Sequence, residues 1–354
     1  MYLPGGNRGA DPVHRFYQPA AQPLYPAQLR LTIVAPADNG NREKIPVGVS
    51  SCLVGEKVRF DGGHKQNRYI LDTLSTLFRF RPFCPEMAIG LGVPRETIRL
   101  VERDGQVDAV GNKNPDHTFT AALIDVAHQQ KDWHQQIFGY IVKKDSPSCG
   151  MERVRLYRGD LPKRDGVGLY TRTLMENFPG LPVEEEGRLG DPVLRESFVK
   201  RVLINHRWHQ MLDTGLNWSS LTEFHARHKL ILYSHNQQRG RELGRELAAA
   251  HHQAIEDYAP RYHLALMEIL KTFSRRSNHV NVLEHIRGYL KQDLDKQDKQ
   301  ELTNSIENYR RGLLPLVVPI TLLRHHFRRH PNRYIDQSYY LQPHPDELML
   351  LNSI

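Results

Sequence analysis

Three segments of the chain run from an apolar stretch into a turn of Pro, Gly and Ser residues that carries a cysteine. The segments are "IPVGVSSCLVG" (45–55), "FRFRPFCPE" (78–86) and "IFGYIVKKDSPSCG" (137–150). Each apolar stretch is typical of a buried parallel strand that ends in a loop before a helix. Ligand sites in open parallel sheets lie outside the carboxyl ends of the strands. We therefore expect the three cysteine loops to converge at one sheet edge.

Helical spacing of apolar residues predicts helices over 67–78 and 118–133. A segment rich in Pro, Gly and acidic residues at 177–198 predicts a connector, and the pattern after it is helical to about residue 330. The first 44 residues lack periodicity and predict a mobile arm with one short strand at 29–35. The predicted fold is an α/β domain with a parallel-type sheet followed by an all-α domain, with boundaries at 1–44, 45–190 and 191–354.

Composition narrows the class of protein. Three cysteines in 354 residues, with no apolar secretory segment at the start, predict a reducing cytoplasm rather than a disulfide framework. No run approaches the roughly 18 apolar residues of a membrane span. The net charge is +8, and the region from residue 198 onward holds 22 Lys and Arg, 16 Asp and Glu, and 14 of the 19 His. This basic half indicates either an anionic partner, most simply nucleic acid, or an ordinary solvated helical surface.

The three thiols, Cys52, Cys84 and Cys149, admit several interpretations. Free cysteines are often buried as small hydrophobes, although loops of Pro and Gly offer a thiol little to pack against. Zinc sites usually show paired spacing and four ligands, and His64 is the nearest candidate to complete one. A [4Fe–4S] cluster normally takes four thiolates, so one held by three keeps an iron open to a soft ligand such as sulfur.

The motifs "SSCLVGEKVRFDGG", "FCPE" and "DSPSCG", in this order, resemble the thiouracil desulfidase (TudS-like) family from about residue 45 to 190. The resemblance implies that Cys52, Cys84 and Cys149 hold a [4Fe–4S] cluster whose open iron takes the sulfur of a thiolated uracil. The C-terminal region resembles the helical domain of tRNA 4-thiouridine desulfidases (RudS-like), which implies tRNA as the partner. The long N-terminal arm departs from the family pattern.

The resemblance also implies catalytic roles beside the cysteines. Glu86 is expected to orient or deprotonate the attacking water, although it is equally suited to stabilise a helix N-terminus. Ser146 and Ser148 are expected to contact substrate or cluster, with Ser146 favoured; capping of the turn is the alternative for both. Gly150 would allow a close approach of the backbone.

Basic residues of the helical region are candidates for contact with tRNA phosphates: Arg227, Arg239, Arg241, Arg328 and Arg329. Phe327 and Tyr334 lie among them in "LLRHHFRRHPNRY", where aromatic rings can stack on bases. The histidines of "FHARHKLILYSHN" are expected to pack in the core. The leading hypothesis is an iron–sulfur tRNA desulfidase. The alternatives are a desulfidase for free thiouracil or thiolated nucleotides, and an iron–sulfur or zinc RNA-binding sensor without turnover.

Overall fold

The computed structural model describes residues 43–159, 161–343 and 350–353, which belong to one compact unit. The strand predicted at 29–35 lies outside the described residues, as does the predicted arm apart from its last two positions. Within the described residues the strands are β1 Ile45–Ser50, β2 Phe78–Phe83, β3 Ile98–Arg103, β4 Gln106–Gly111, β5 Tyr140–Val142, β6 Val154–Arg158, β7 Leu161–Gly166 and β8 Val183–Glu185. The helices there are α1 Pro85–Ala88, α2 Thr120–Gln129, α3 Lys131–His134, α4 Leu169–Asn177, α5 Pro192–Thr214, α6 Trp218–Ala249, α7 Ile255–Lys271, α8 Arg276–Gly288, α9 Lys296–Arg310, α10 Val317–Arg329 and α11 Arg333–Gln337.

A parallel four-stranded sheet, in the order β2-β1-β5-β8, forms the centre of the N-terminal region. Val47 and Val49 of β1 are fully buried and pack with the first half of α5. Gly48 points to the other face, where a Cβ would lie 2.6 Å from the ring of Tyr140. The ring fills that space and joins a second apolar layer with Leu174 of α4. Burying each such side chain stabilises the fold by about 1.5–3 kcal/mol. The predicted α/β fold with a parallel sheet is confirmed.

The connector predicted at 177–198 contains β8 and the first turns of α5, so that interpretation was incomplete. The strand has three residues, and its Glu184 and Glu185 are both buried. Two acidic residues in so short a segment hide a strand from apolar patterning, because buried carboxylates need specific partners that sequence does not show. Asp191 then caps α5 by accepting N–H bonds from Val193 and Leu194 at 2.8 and 3.0 Å.

A second four-stranded sheet, in the order β4-β3-β6-β7, was not predicted. The antiparallel hairpin of β3 and β4 turns at Asp104 and Gly105, both with positive φ. An Asp-Gly pair between alternating apolar residues is a strong hairpin signal, so "IRLVERDGQVDAVG" could have revealed it. The helix predicted over 67–78 is irregular, with a π-helical turn Tyr69–Thr73 followed by a 3-10 turn Leu74–Thr76. The helix predicted over 118–133 corresponds to α2 and α3.

The helices α5–α11 share one core, as the sequence predicted for this region of the chain. Trp208 is fully buried there and stacks on the imidazole of His263, with ring centroids 4.8 Å apart. The first half of α5 packs on the parallel sheet and its second half in this helical core. The α5 helix therefore belongs to both cores, and the domain boundary near 190 stays a prediction. Among the described residues, no helix combines the length and apolar character needed to cross a bilayer.

Candidate active site

The three cysteines lie after three neighbouring parallel strands. Cys52 lies in a 3-10 turn, Ser51–Val54, directly after β1, Cys84 immediately follows β2, and Cys149 lies in the loop after β5. Because β2, β1 and β5 are adjacent and parallel, these loops leave the same edge of the sheet. The sequence-based expectation that the cysteine loops converge there matches this sheet order.

Local sequence explains the shape of the first two loops. Gly55 ends the turn around Cys52 with φ +99°, a conformation that favours glycine. Cys84 precedes the short helix α1, and Pro85 occupies its first position, where a missing N–H does no harm. The hydroxyl of Ser50 accepts the N–H of Lys143 at 3.0 Å, which ties the end of β1 to the end of β5.

The loop around Cys149 is clamped on the start of α4. A Cβ on Gly168 would lie 2.6 Å from the carbonyl oxygen of Ser148, so only glycine permits this approach. The first N–H groups of α4 then donate to loop carbonyls, with Thr171 N bonding Ser148 O at 3.3 Å. The hydroxyl of Thr171 also donates to Cys149 O at 2.7 Å. The loop thereby caps the helix and is itself held in one conformation.

Cys52 and Cys149 are buried, Cys84 is half-buried, and Cys84 influences the pKa of both other thiols. Burial, together with the charge of Cys84, raises the pKa of the Cys52 thiol to about 11. Burial, Cys84 and Glu86 raise the pKa of Cys149 further. Burial also raises the pKa of Cys84, although the backbone N–H of Met87 acts in the opposite direction. The raised pKa values keep the three thiols protonated at neutral pH when no cation is bound.

A charged hydrogen-bond network lies beside Cys84 and Cys149. Glu86 Oε2 accepts from Arg95 Nη2 at 2.6 Å and from Nε at 3.0 Å, while Glu86 Oε1 accepts from Ser148 Oγ at 2.5 Å. Only 5% of the Arg95 side chain and 16% of the Glu86 side chain are exposed. The guanidinium also donates to the carbonyls of Gly92 and Val58. It therefore fixes the carboxylate at the cysteine edge and supplies its counter-charge.

The two serines form a chain whose direction follows from the carboxylate. A carboxylate only accepts, so the hydroxyl of Ser148 donates its proton to Glu86. The oxygen of Ser148 then accepts from Ser146 Oγ, 3.0 Å away, and Ser146 accepts the N–H of Cys149 at 3.1 Å. Ser148 is fully buried, whereas Ser146 is half-buried. The chain thus runs from the more accessible hydroxyl inward to Glu86.

The donor set fits an iron–sulfur cluster better than a zinc ion. All three candidate ligands are thiols, the ligands that such clusters take. His64, considered as a zinc ligand, is exposed, and its Nδ1 accepts the N–H of Gln66 at 3.2 Å. Across the described stretches of the chain, no three His, Cys, Asp or Glu side chains form a group placed to hold a metal ion, the three cysteines included. The fit to a cluster therefore rests on the thiol chemistry of the ligands and on the sheet edge that their loops share.

Comparison with known proteins identifies the two regions of the chain. The model of the 2-thiouracil desulfurase family matches residues 47–186. The model of DUF1722, a family described as a protein of unknown function, matches residues 229–345. A solved structure of the [4Fe–4S]-dependent thiouracil desulfidase TudS is 34% identical over 42% of this chain and 94% of its own, with a TM-score of 0.35. The chain belongs to the thiouracil desulfidase family. The uncharacterized protein YbgA of Escherichia coli K12 is 30% identical over 159 residues, which are 45% of this chain and 94% of that protein.

The desulfidase match spans every predicted residue of the candidate active site: Cys52, Cys84, Glu86, Ser146, Ser148 and Cys149. Sequence reasoning missed Arg95, which holds Glu86. No sequence signal marks this arginine, since it lies nine residues from its partner and in a loop without a motif. The roles of all these residues stay predictions.

The predicted tRNA-binding arginines lie in the helical region and differ in their surroundings. Arg227 pairs with Glu223 at 3.2 Å, and Arg239 pairs with Glu242 at 3.1 Å. Arg241 is exposed beside Tyr233, and Arg328 and Arg329 are exposed in the last turn of α10. Phe327 is only 4% exposed and packs in the helical core, so the interpretation of Phe327 as a base-stacking residue was wrong.

A cavity of about 310 Å³ adjoins the desulfidase site rather than containing it. Met151, two residues after Cys149, is among its lining residues, as are three basic side chains: Arg188, Arg201 and Lys271. Each of these cations has an acidic partner, Glu184 for both arginines and Glu268 for Lys271. None of the three cysteines lines this cavity.

Proposed function

We propose that this protein removes sulfur from 4-thiouridine in tRNA and returns the base to uridine. The observation that carries the proposal is that Cys52, Cys84 and Cys149 follow three adjacent parallel strands at one sheet edge, beside the Arg95–Glu86–Ser148–Ser146 network. Cys52, Cys84 and Cys149 would hold a [4Fe–4S] cluster. When bound, such a cluster supplies a Lewis acid with affinity for the thiocarbonyl sulfur.

The residues of the chain supply the rest of the chemistry. Glu86 accepts a proton from the attacking water, either directly or through Ser146 and Ser148, whose hydroxyls already point toward it. Arg95 holds the carboxylate in place and balances its charge. The buried position of Ser148 excludes water from the inner end of this chain. Ser146, at the accessible end, contacts the thiolated base.

Support for tRNA as the substrate comes from the helical region. This half carries the excess of positive charge, and Arg241, Arg328 and Arg329 are exposed there. Positive charge gives a salt-dependent affinity for phosphates. The free thiols at the site favour the reducing cytoplasm, where tRNA is found.

The test is turnover by anaerobically reconstituted protein on thiolated tRNA and, separately, on free 4-thiouracil and 2-thiouracil. We expect loss of the 4-thiouridine absorbance and a kcat/KM for tRNA about 100-fold above that for the free bases, because remote phosphate contacts add binding energy. Faster turnover of a free base would assign the enzyme to small thiolated pyrimidines. If cluster-loaded protein turned over none of these substrates, the result would favour the alternative of an RNA-binding sensor without turnover.

A substitution at Glu86 separates catalysis from cluster assembly and RNA binding. Glu86→Gln keeps the size of the side chain and can still accept the Ser148 hydroxyl, but it is a poor proton acceptor. We expect kcat to fall by about 10²–10⁴-fold, with the cluster absorbance and the tRNA dissociation constant unchanged. An unchanged kcat would remove Glu86 from the mechanism.

A further inference from the structure

A second cavity, of about 210 Å³, lies between α6 and α8 in the helical region, far along the chain from the cysteine loops. We call it the basic pocket. Its polar lining consists of Lys229, Tyr233, Gln237 and Arg241 from α6 with Asn281 and His285 from α8. No carboxylate is among its lining residues.

The spacing of the α6 residues explains why they share this pocket. Lys229 and Tyr233 are four residues apart, as are Gln237 and Arg241, which places the two members of each pair on one face of its half-helix. The helix breaks between them at Asn236, whose backbone is extended with φ −151° and ψ +103°. The Asn236 side chain accepts the N–H of Arg239 at 3.0 Å and so caps the half-helix that begins at Gln237. The N-terminal end of this half-helix, which favours negative charge, therefore borders the pocket.

The two permanent cations of the pocket have no acidic partner among the residues the structure describes. Lys229 lies 5.7 Å from the ring centroid of Tyr233, and Arg241 lies 6.0 Å from the same ring. The nearby Arg227 and Arg239 on the same helix are both ion-paired. Burial and the charges of Lys229 and Arg241 lower the pKa of His285. Positive charge is thus concentrated here without compensation.

One exposed tyrosine and two half-buried tyrosines lie together at the basic pocket. Tyr289, the residue after α8, is 39% exposed, and its ring centroid lies 5.7 Å from that of Tyr334. Burial and the proximity of Tyr289 and Tyr233 raise the pKa of Tyr334 to about 12, which places the three tyrosines together. Cations next to exposed aromatic rings are typical of surfaces that bind a nucleic-acid backbone and stack its unpaired bases.

We propose that the basic pocket binds a backbone phosphate of RNA, with Lys229, Arg241 and His285 as donors and Tyr289 facing an adjacent unpaired base. The proposal depends on the proposed function only for the kind of RNA, since the pocket chemistry recognises phosphate in any RNA strand. The proposal assigns phosphate binding to Arg241, which lines a cavity without a carboxylate, and not to Arg239, which is already ion-paired on the surface. The pocket is a binding site and takes no role in the desulfuration step.

The test is a salt titration of the affinity for unmodified tRNA, measured by fluorescence anisotropy on full-length, cluster-loaded protein. Lys229→Gln/Arg241→Gln should weaken binding about tenfold and reduce the slope of log Kobs against log salt by about 1–2. The matched control Lys291→Gln/Lys296→Gln removes the same charge from exposed positions that do not line the pocket, and it should weaken binding by less than about twofold. Equal losses in the two variants, or none in the pocket variant, would overturn the proposal.

Measurements of thermal stability, of turnover and of phosphate binding keep the outcomes distinct. Both variants should retain the parental melting temperature and the parental rate on free thiouracil, because the changes lie outside the desulfidase region. Micromolar binding of inorganic phosphate at the pocket, with tRNA affinity unchanged in the pocket variant, would assign the site to a small anion and overturn the RNA proposal. Pocket-dependent tRNA binding without turnover of thiolated tRNA would contradict the proposed function and leave this inference in place.

Discussion

The α/β region and the helical region bury polar groups in opposite ways. In the α/β region, the polar chemistry is concentrated at one sheet edge, where burial and the charge of Cys84 raise the pKa of both Cys52 and Cys149. In the helical region, histidines are dispersed through the core and bonded within it, such as His225 to Tyr262 OH at 2.9 Å and His228 to Phe224 O at 2.7 Å. Buried polar groups that satisfy one another stabilise a fold, whereas titratable groups with strongly shifted pKa values gathered at one sheet edge are typical of a functional site.

The same difference predicts that the two regions are sensitive to different conditions. Burial lowers the pKa of six histidines of the helical region to about 4 or about 3: His206, His209, His225, His228, His263 and His279. Burial also lowers the pKa of His235 well below its ordinary value. Among the described residues of the α/β region, His134 alone is shifted in this way. The α/β region is instead sensitive to its thiols. The helical region should therefore respond mainly to acid, and the α/β region mainly to loss of its cofactor.

The largest expected effect is that of removing one thiol. Cys84→Ser should lower the rate on thiolated substrate by at least about 1000-fold, because loss of a ligand removes a Lewis acid that is worth several kcal/mol. The apo-protein should keep its melting temperature within a few degrees, since a hydroxyl replaces a thiol of nearly equal size. Cluster absorbance after anaerobic reconstitution, turnover and thermal unfolding measure the three quantities.

A buried ion pair in the helical region should give the next largest effect. Lys200 Nζ lies 2.7 Å from Glu196 Oε1 and 3.2 Å from His235 Nε2, and both charged side chains are 5% exposed. Lys200→Met should cost about 3–5 kcal/mol because it leaves the carboxylate buried and unpaired. The double variant Glu196→Leu/Lys200→Met should recover most of that loss in urea unfolding. If the double variant is no more stable than the single one, the pair does more than balance charge.

Substitution of His228 in the helical region should lower stability and leave activity intact, the reverse of the effect expected for Cys84. His228→Gln breaks a buried hydrogen bond and ring contacts with Phe224 and Tyr339, so it should cost about 1–3 kcal/mol of stability. It should leave the cluster absorbance and the rate on free thiouracil unchanged. Loss of the cluster in this variant, or full activity in Cys84→Ser, would contradict the proposed difference between the two regions.

Acid should unfold the helical region before the α/β region. The buried histidines are neutral in the folded state, whereas in the unfolded chain they protonate below about pH 6.5. The stability they contribute is therefore present above pH 6.5 and is lost as the pH falls toward 4. A single shift from 6.5 to 4 corresponds to about 3 kcal/mol, and total stabilities are only about 5–15 kcal/mol.

Hydrogen exchange between pH 7 and pH 4.5 resolves the two regions. We expect amide protection in α5–α10 to fall first, while β1, β2 and β5 remain protected. Earlier loss of protection in the parallel sheet would show that its own acidic network, and not the histidines, limits stability in acid.

The sequence predicted those features whose causes are local. Apolar runs next to Pro, Gly and Ser turns predicted β1, β2 and β5 with their cysteine loops, because parallel strands are buried on both faces and loops need special backbone conformations. Helical periodicity predicted the all-α region. The histidines of "FHARHKLILYSHN" were rightly expected in the core, where His225, His228 and His235 are buried.

Features that depend on distant partners could not be predicted. Glu184 and Glu185 enter a strand because Arg188 and Arg201, and the N–H of Met151, bond their carboxylates. Ser148 and Glu86 are 62 residues apart, and their hydrogen bond exists only in the folded chain. The basic pocket likewise requires α6 and α8 to pack together, so composition could indicate a basic half but not this site.

The smallest effect, and the sharpest test of the active-site geometry, concerns Arg95. Arg95→Gln removes the guanidinium that holds Glu86 Oε2, while Ser148 still bonds Oε1. The carboxylate is then free to leave its position, and kcat should fall by about 10–100-fold with the cluster absorbance retained.

Arg95→Lys separates charge from geometry in this network. A lysine restores the positive charge but offers no planar fork to bond Glu86 together with the carbonyls of Gly92 and Val58. We therefore expect the kcat of the lysine variant to lie between that of Arg95→Gln and that of the parent. Full rescue of kcat by lysine would show that charge alone matters at this edge of the sheet. A lysine variant as slow as Arg95→Gln would show that the fork geometry, and not the charge, holds Glu86 in place.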